Sequence, residues 1–277
     1  MFDRRNRIAL LLALATTPLL AHAQRSLAPM SPSGQTVTPV FEGWYHNRDG
    51  TYSISFGYFN RNSSEQVDVP VGDANFIAPG ALNQGQPTHF AARRHWGVFA
   101  VVVPADFGAK KVVWALKDRG QTFAIAGSLR EEWEIDAIEG EASADNTPPT
   151  LSFSGSAEGR GPLGVTVGPL RIAVGKPLLL SVVVKDDGKT GATNAAGVRV
   201  GTPVDLTWFL HQGGGEATFS TATTRLSPTG GTGTTTVTFN RVGDYVVRVR
   251  ANDTPAESAG HAQCCWTNGF VKVTVTP

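Results

Sequence analysis

Cys264 and Cys265 are the only cysteines in the 277 residues, and they are adjacent. Three chemistries compete for such a pair. The two sulfurs can close a vicinal disulfide, a small ring that stiffens its loop. They can stay reduced and packed without a role. As thiolates they can bind a soft ion such as Cu(I), with His261 or a second chain completing the site. The two to four intervening residues usual for a structural zinc site are absent. An intermolecular disulfide is a further alternative. Trp266 follows directly, either as a core plug or as a ligand platform.

Oxygen donors gather in the same part of the chain. Asp186, Asp187, Asn252 and Asp253 are candidates for Ca²⁺. Calcium takes about six to eight oxygens, so these side chains alone do not complete a shell. The plainer alternative makes Asp186-Asp187-Gly188 a turn and Asn252-Asp253 the end of a strand. Further upstream, His89, Arg93, Arg94 and His95 form a basic cluster beside Trp96. On one regular strand His89 and His95 share a face, which suits a metal or an anion. A solvated hairpin edge is the competing reading. Trp44, Tyr45, Tyr52, Tyr58, Phe59 and Trp96 supply either core or a sugar-stacking platform. Asn62-Ser63-Ser64 and Asn252-Asp253-Thr254 match the N-glycosylation acceptor pattern, by itself a weak signal.

No catalytic constellation stands out. The chain has no G-x-S-x-G elbow, no H-E-x-x-H and no phosphate loop. Glu131, Glu132 and Glu134 are neighbours, but acid–base chemistry needs two carboxylates in different environments across a cleft. Cys264 as a nucleophile needs a thiolate-stabilising neighbour, and a second sulfur beside it traps it as a disulfide. The expectation is a protein that is not an enzyme, with no catalytic residue and no resident metal or cofactor, Ca or Cu being the alternatives.

The elements that position these residues read as β throughout. Residues 1–23 carry Arg4, Arg5 and Arg7, then the apolar run Ile8–Leu20, then Ala21-His22-Ala23. This is the pattern of a cleaved secretory signal, its apolar run too short for a membrane anchor. No Cys follows it for lipid attachment. Export puts the cysteines in an oxidising compartment, periplasmic or extracellular, which favours the disulfide. The segment holds three Arg against one Asp, so its removal turns the formal charge of +1 into −1. A near-neutral chain has no electrostatic reason to seek nucleic acid or an anionic membrane.

Residues 24–38 are rich in Ser, Pro, Gln and Gly and read as a flexible leader. Residues 39–137 read as a first β-sandwich, and 138–149, ending in Pro148-Pro149, as a linker. Tyr52, Ile54, Phe56 and Tyr58 alternate with small polar residues, the mark of a half-buried strand. The turn Asn47-Arg48-Asp49-Gly50 predicts a hairpin of Val40–Tyr45 with Thr51–Asn60. Further strands are expected at Gln66–Val69, Asn75–Ala78, Trp96–Val103, Lys111–Leu116, Thr122–Leu129 and Trp133–Asp136. Residues 150–277 form the second block. Leu178–Lys185, Val204–His211, Thr234–Phe239, Tyr245–Ala251 and Val271–Val275 all alternate at period two.

The second block resembles the immunoglobulin-like and PKD-like sandwich modules of exported bacterial proteins. GKPLLLSVVVKDDG (175–188), DLTWF (205–209), TTTVTF (234–239) and GDYVVRVRAND (243–253) carry the likeness. It implies that Trp208 is the buried Trp of strand C. It makes Tyr245 a tyrosine corner two residues before the inward position Val247, with Leu180 or Val182 opposite in place of a cysteine. In that topology the loops 186–201 and 252–268 meet at one pole, which gathers Asp186, Asp187, Asn252, Asp253, His261 and the cysteines. FEGWY (41–45), FGYFNRN (56–62) and GQPTHF (85–90) resemble segments of secreted bacterial proteins and imply no activity. The fold class expected is all-β, two β-sandwich domains after a signal. The function expected is non-catalytic protein–protein or surface interaction. A carbohydrate-binding accessory module, with a surface glycan as partner, and an extracytoplasmic hydrolase are the alternatives.

Overall fold

The alternation read from the sequence becomes seventeen strands and no α-helix among the described residues of the computed structural model, which are 31–138, 146–189, 201–253 and 264–277. In the first half, β1 (Val37–His46) and β2 (Tyr52–Asn60) pair antiparallel across the expected turn, and β6 (Arg93–Val103) joins β2. Facing them, β7 (Val112–Asp118) lies between β4 (Asn75–Ala78) and β8 (Gln121–Gly127). The short β3 (Val67–Asp68) and β5 (His89–Phe90) pair at one side. The two three-stranded sheets close on Ile54, Phe56, Ile77, Phe99, Trp114 and Leu116, all nearly or wholly inaccessible.

One buried amide staples this core. Asn75 donates to the carbonyls of Val69 and Pro87, and its Oδ1 accepts the Trp114 indole N–H at 2.9 Å. Removing it orphans three buried partners at once. We therefore expect Asn75→Ala to cost about 3 kcal/mol, measured as a shift in the urea midpoint.

The strand pattern differs from expectation in three places. β1 begins at Val37, inside the segment read as leader. Val37 is fully buried in the first core and its N–H donates to Asp118 Oδ2 at 2.9 Å, which anchors the strand start. Trp133–Asp136 forms no strand. Glu131–Trp133 is a 3-10 turn, and only an isolated parallel bridge joins Glu134 to Trp44. The face of β2 expected to meet solvent is covered, with Ser53 and Ser55 both at 0% exposure.

The second half contains β9 (Thr150–Ser152), β10 (Val165–Ala173), β11 (Leu178–Lys185), β12 (Asp205–Gln212), β13 (Ala217–Phe219) and β14 (Thr223–Arg225). It closes with β15 (Gly230–Phe239), β16 (Gly243–Asn252) and β17 (Trp266–Thr276). One sheet has the order β9-β11-β15-β13, the other β10-β17-β16-β12-β14. In immunoglobulin notation these are A-B-E-D facing C-F-G, with β10 added parallel to the last strand. Trp208, Val247, Leu180 and Val182 are all buried in the shared core. The phenol of Tyr245 donates to the carbonyl of Arg241 at 2.8 Å, the tyrosine-corner bond. Tyr245→Phe removes this bond and is expected to lower stability by about 1 kcal/mol in urea melts.

β9, β10, β13 and β14 escaped the sequence reading. Gly168-Pro169 breaks the alternation of β10, whose register shifts between Val167 and Leu170, and the other three are too short to show a period. Residues 31–277 form one compact unit. The outer face of the β12–β16–β17 sheet lies on the first half of the chain, and Phe270 of β17 belongs to the first core.

Candidate functional site

The pole predicted from the loop assignment assembles around the cysteines. Cys264 and Cys265 are joined as a vicinal disulfide at the mouth of β17, both nearly inaccessible. Joined in this way they are not the thiolates that Cu(I) requires. Their sulfurs lie 3.9 and 3.7 Å from the carbonyl oxygen of Asn146. Asn146, inside the segment read as linker, is itself buried, and Pro149 accepts a hydrogen bond from the Thr267 hydroxyl. The end of the linker is thus part of the packed pole. His261 lies outside the described residues.

Asp253 follows the end of β16, and its N–H donates to the Cys265 carbonyl at 3.3 Å. Its side chain has no exposed surface, and neither carboxyl oxygen has a partner at hydrogen-bonding geometry. Burial, reinforced by the neighbouring Asp186 carboxylate, pushes its pKa up to about 8, an effect that the nearby Asn146 amide offsets only in part. Asp186 is raised to about 6, chiefly by burial, while the Gly188 N–H bond to its Oδ2 acts the other way. Asp187 accepts from the Lys189 N–H and from the Thr147 hydroxyl. Asn252 pairs with Asp205 and Trp266 in the β-ladder. At neutral pH Asp253 is a buried neutral acid beside an ionised one. It can hold a proton, and it has no exposed surface. Among the described residues, no group of three His, Cys, Asp or Glu side chains is placed to hold a metal ion.

The second candidate cluster is divided by the fold. His89 sits on β5 and His95 on β6, and between them Arg93 adopts a left-handed φ of 80°. The two histidines therefore do not share one regular strand, and the common face expected from their spacing does not form. His89 Nδ1 lies 2.7 Å from Asp68 Oδ1. Arg94 grips Glu42 through two bonds of 2.6 and 2.8 Å, and its guanidinium lies 3.7 Å over the Trp96 ring. Glu42 is 4% exposed and both its oxygens accept from the one Nη2, so this is a buried ion pair rather than a solvated edge.

His95 points into the seam between the two sandwiches. It stacks on Tyr58 with centroids 4.9 Å apart and meets Phe209 edge-on at 5.7 Å. Burial and then the nearby Arg248 hold its pKa near 3, so it is neutral. His211, unremarked in the sequence, is its counterpart across the seam. It too is held near 3 by burial, and its Nε2 donates to the Gly85 carbonyl at 2.7 Å. The seam also carries the Thr88 N–H on the His211 carbonyl and the Gln212 amide on the Gln86 carbonyl. Asn268 Nδ2 donates to the Gly97 carbonyl at 2.7 Å, and the Trp266 indole N–H reaches the same oxygen at 3.3 Å. Trp266 is 1% exposed: it is the core plug, set across the junction. Arg248 and Arg250, on the outer face of β16, complete the seam. Sequence reasoning missed them because two arginines at period two on a strand read as a solvated face.

No family model matches the chain, and no curated protein matches it in sequence. Two solved structures illustrate what its fold is similar to. The D00–D0 domain of intimin is 12% identical over 86% of this chain and 100% of that one, with a TM-score of 0.26. A titin tandem of immunoglobulin domains is 10% identical over 87% and 98%, with a TM-score of 0.23. The immunoglobulin-type assignment of the second sandwich rests on its strand order and on the Tyr245 corner, independently of these likenesses.

Proposed function

We propose that this chain is an exported, non-catalytic interaction module: a rigid pair of β-sandwiches whose loop-bearing pole meets a protein or a surface partner. One observation carries the reading. The side chains with the chemistry of catalysis or sugar stacking are consumed in holding the structure together. His95 and His211 are buried and neutral in the seam, Arg94 is locked on Glu42, and Trp266 plugs the junction. Trp44, Tyr45 and Tyr58, half of the candidate sugar platform, are buried. Fixed relative orientation is what a presenting module needs, because a partner then pays no entropy for ordering the two halves.

The secretory pattern at residues 1–23 supports the exported location, and no helix among the described residues is long and apolar enough to cross a membrane. The test is cross-linking mass spectrometry on the chain in its native cell. Cross-links from the pole segments 186–201 and 252–268 to one reproducible protein partner are expected. Cross-links only among this chain's own residues, together with specific glycan-array binding, would favour the carbohydrate reading and overturn this one.

A further inference from the structure

Arg248 sits at the centre of the seam, 2% exposed, yet its Nε and Nη1 have no hydrogen-bond partner. It stands on β16 opposite Phe209 of β12 and Phe270 of β17. Its guanidinium lies over the Phe209 ring at 4.5 Å, and that of Arg250 lies over the same ring at 5.9 Å. Two cations thus converge on one aromatic ring. Tyr58 and His95 face them from the first sandwich. Neither carries negative charge at neutral pH: burial raises the Tyr58 phenol far above its ordinary value, and His95 is neutral. Glu42, on the first sandwich, is already gripped by Arg94, and Asp205, whose charge reaches Arg250, is gripped by Arg225. Even with its pKa lowered to about 10 by burial, Arg248 keeps its charge at pH 7. A buried charge without a counter-charge is destabilising, and cation–π contact offsets this only in part.

We infer that the seam binds a small, weakly hydrated monovalent anion of the halide class at the free Nε and Nη1 of Arg248. The walls are aromatic, so a strongly hydrated divalent anion would lose more hydration than two donors return. One negative charge also relieves the repulsion between Arg248 and Arg250. A cleft of about 380 Å³ opens on the Phe209 side of the seam, lined also by His89 and by the Glu216 carboxylate. Bound there, the ion sits between the two sandwiches and stabilises their closed arrangement.

The experiment measures the thermal midpoint at constant ionic strength while sodium gluconate is replaced stepwise by sodium chloride, bromide or sulfate. Chloride and bromide are expected to add a saturable rise of the midpoint, whereas gluconate and sulfate add only the unsaturable rise of salts excluded from the protein surface. Arg248→Met is expected to abolish the halide response, and Arg248→Lys, which keeps the charge but loses the fork, to weaken it several-fold. A bromide-soaked crystal, which needs no variant, should show anomalous density at Arg248. Equal midpoints in all salts, an unchanged halide response in Arg248→Met, or bromide density only elsewhere would each overturn the proposal. A saturable response to sulfate, lost in Arg248→Met and stronger than that to chloride, would overturn the monovalent assignment.

Discussion

Replacing Gly97 with alanine is expected to lower stability by about 3 kcal/mol or more and to loosen the seam. Gly97 has a φ of +44°, which an L side chain adopts at a cost. A Cβ there would lie 2.6 Å from Cζ2 of Trp266 and 3.0 Å from its Cε2 and Nε1. Trp266 cannot yield, because it is 1% exposed and its indole N–H is tied to the Gly97 carbonyl. The same carbonyl anchors Asn268, so displacing the backbone strains two bonds across the junction. Urea melts measure the loss. In a Trp266→Leu background, with the Trp266→Leu single variant as reference, Gly97→Ala should cost only the backbone share of about 1 kcal/mol. A Gly97→Ala variant within half of wild-type scatter, about 0.5 kcal/mol, would show that the contact is soft.

Asp253→Asn is expected to stabilise the protein at pH 9 by about 2 kcal/mol or more and to leave it nearly unchanged at pH 4. The sign follows from the raised pKa. Folded, the carboxyl titrates at about 8, and its ordinary value is 3.8. Between these values the folded chain holds a proton that the unfolded chain has released, so stability falls as pH climbs through that window. Asp186, raised to about 6, adds to the same slope between pH 4 and 6. Asparagine keeps the shape and carries no charge, so the variant loses the part of the slope that belongs to Asp253. Stability curves of wild type and variant from pH 4 to 9 settle the point, and parallel curves would show that Asp253 is hydrated in solution.

Much of the architecture was legible in the residue order because β-structure writes its period into the chain. The Asn47–Gly50 turn and the alternation of Tyr52 to Tyr58 gave the first hairpin. GDYVVRVRAND gave the tyrosine corner before Tyr245 Oη was seen on the Arg241 carbonyl. The approach of Asp186 to Asp253 beside the cysteines was expected from loop order, whereas Asn146, read as linker, was not. β10 did not follow, since a Gly-Pro pair hides its period, and neither did β13 or β14, where three residues have no period to show.

The seam was invisible for a deeper reason. Local pattern says which face of a strand is polar, but not what covers it. Arg248, Arg250 and His211 read as the solvent side of an antiparallel sheet, and Asn268 as the end of a loop, and by that logic they were exposed. Sequence alone thus determined the β class, the pairing of neighbouring strands and the loops that share a pole, because each depends on residues close in the chain or on a fixed topology. Only the tertiary structure decided that a second sandwich covers this polar face, because contacts such as Trp266 on Gly97 join residues 169 apart and depend on the shapes of both surfaces.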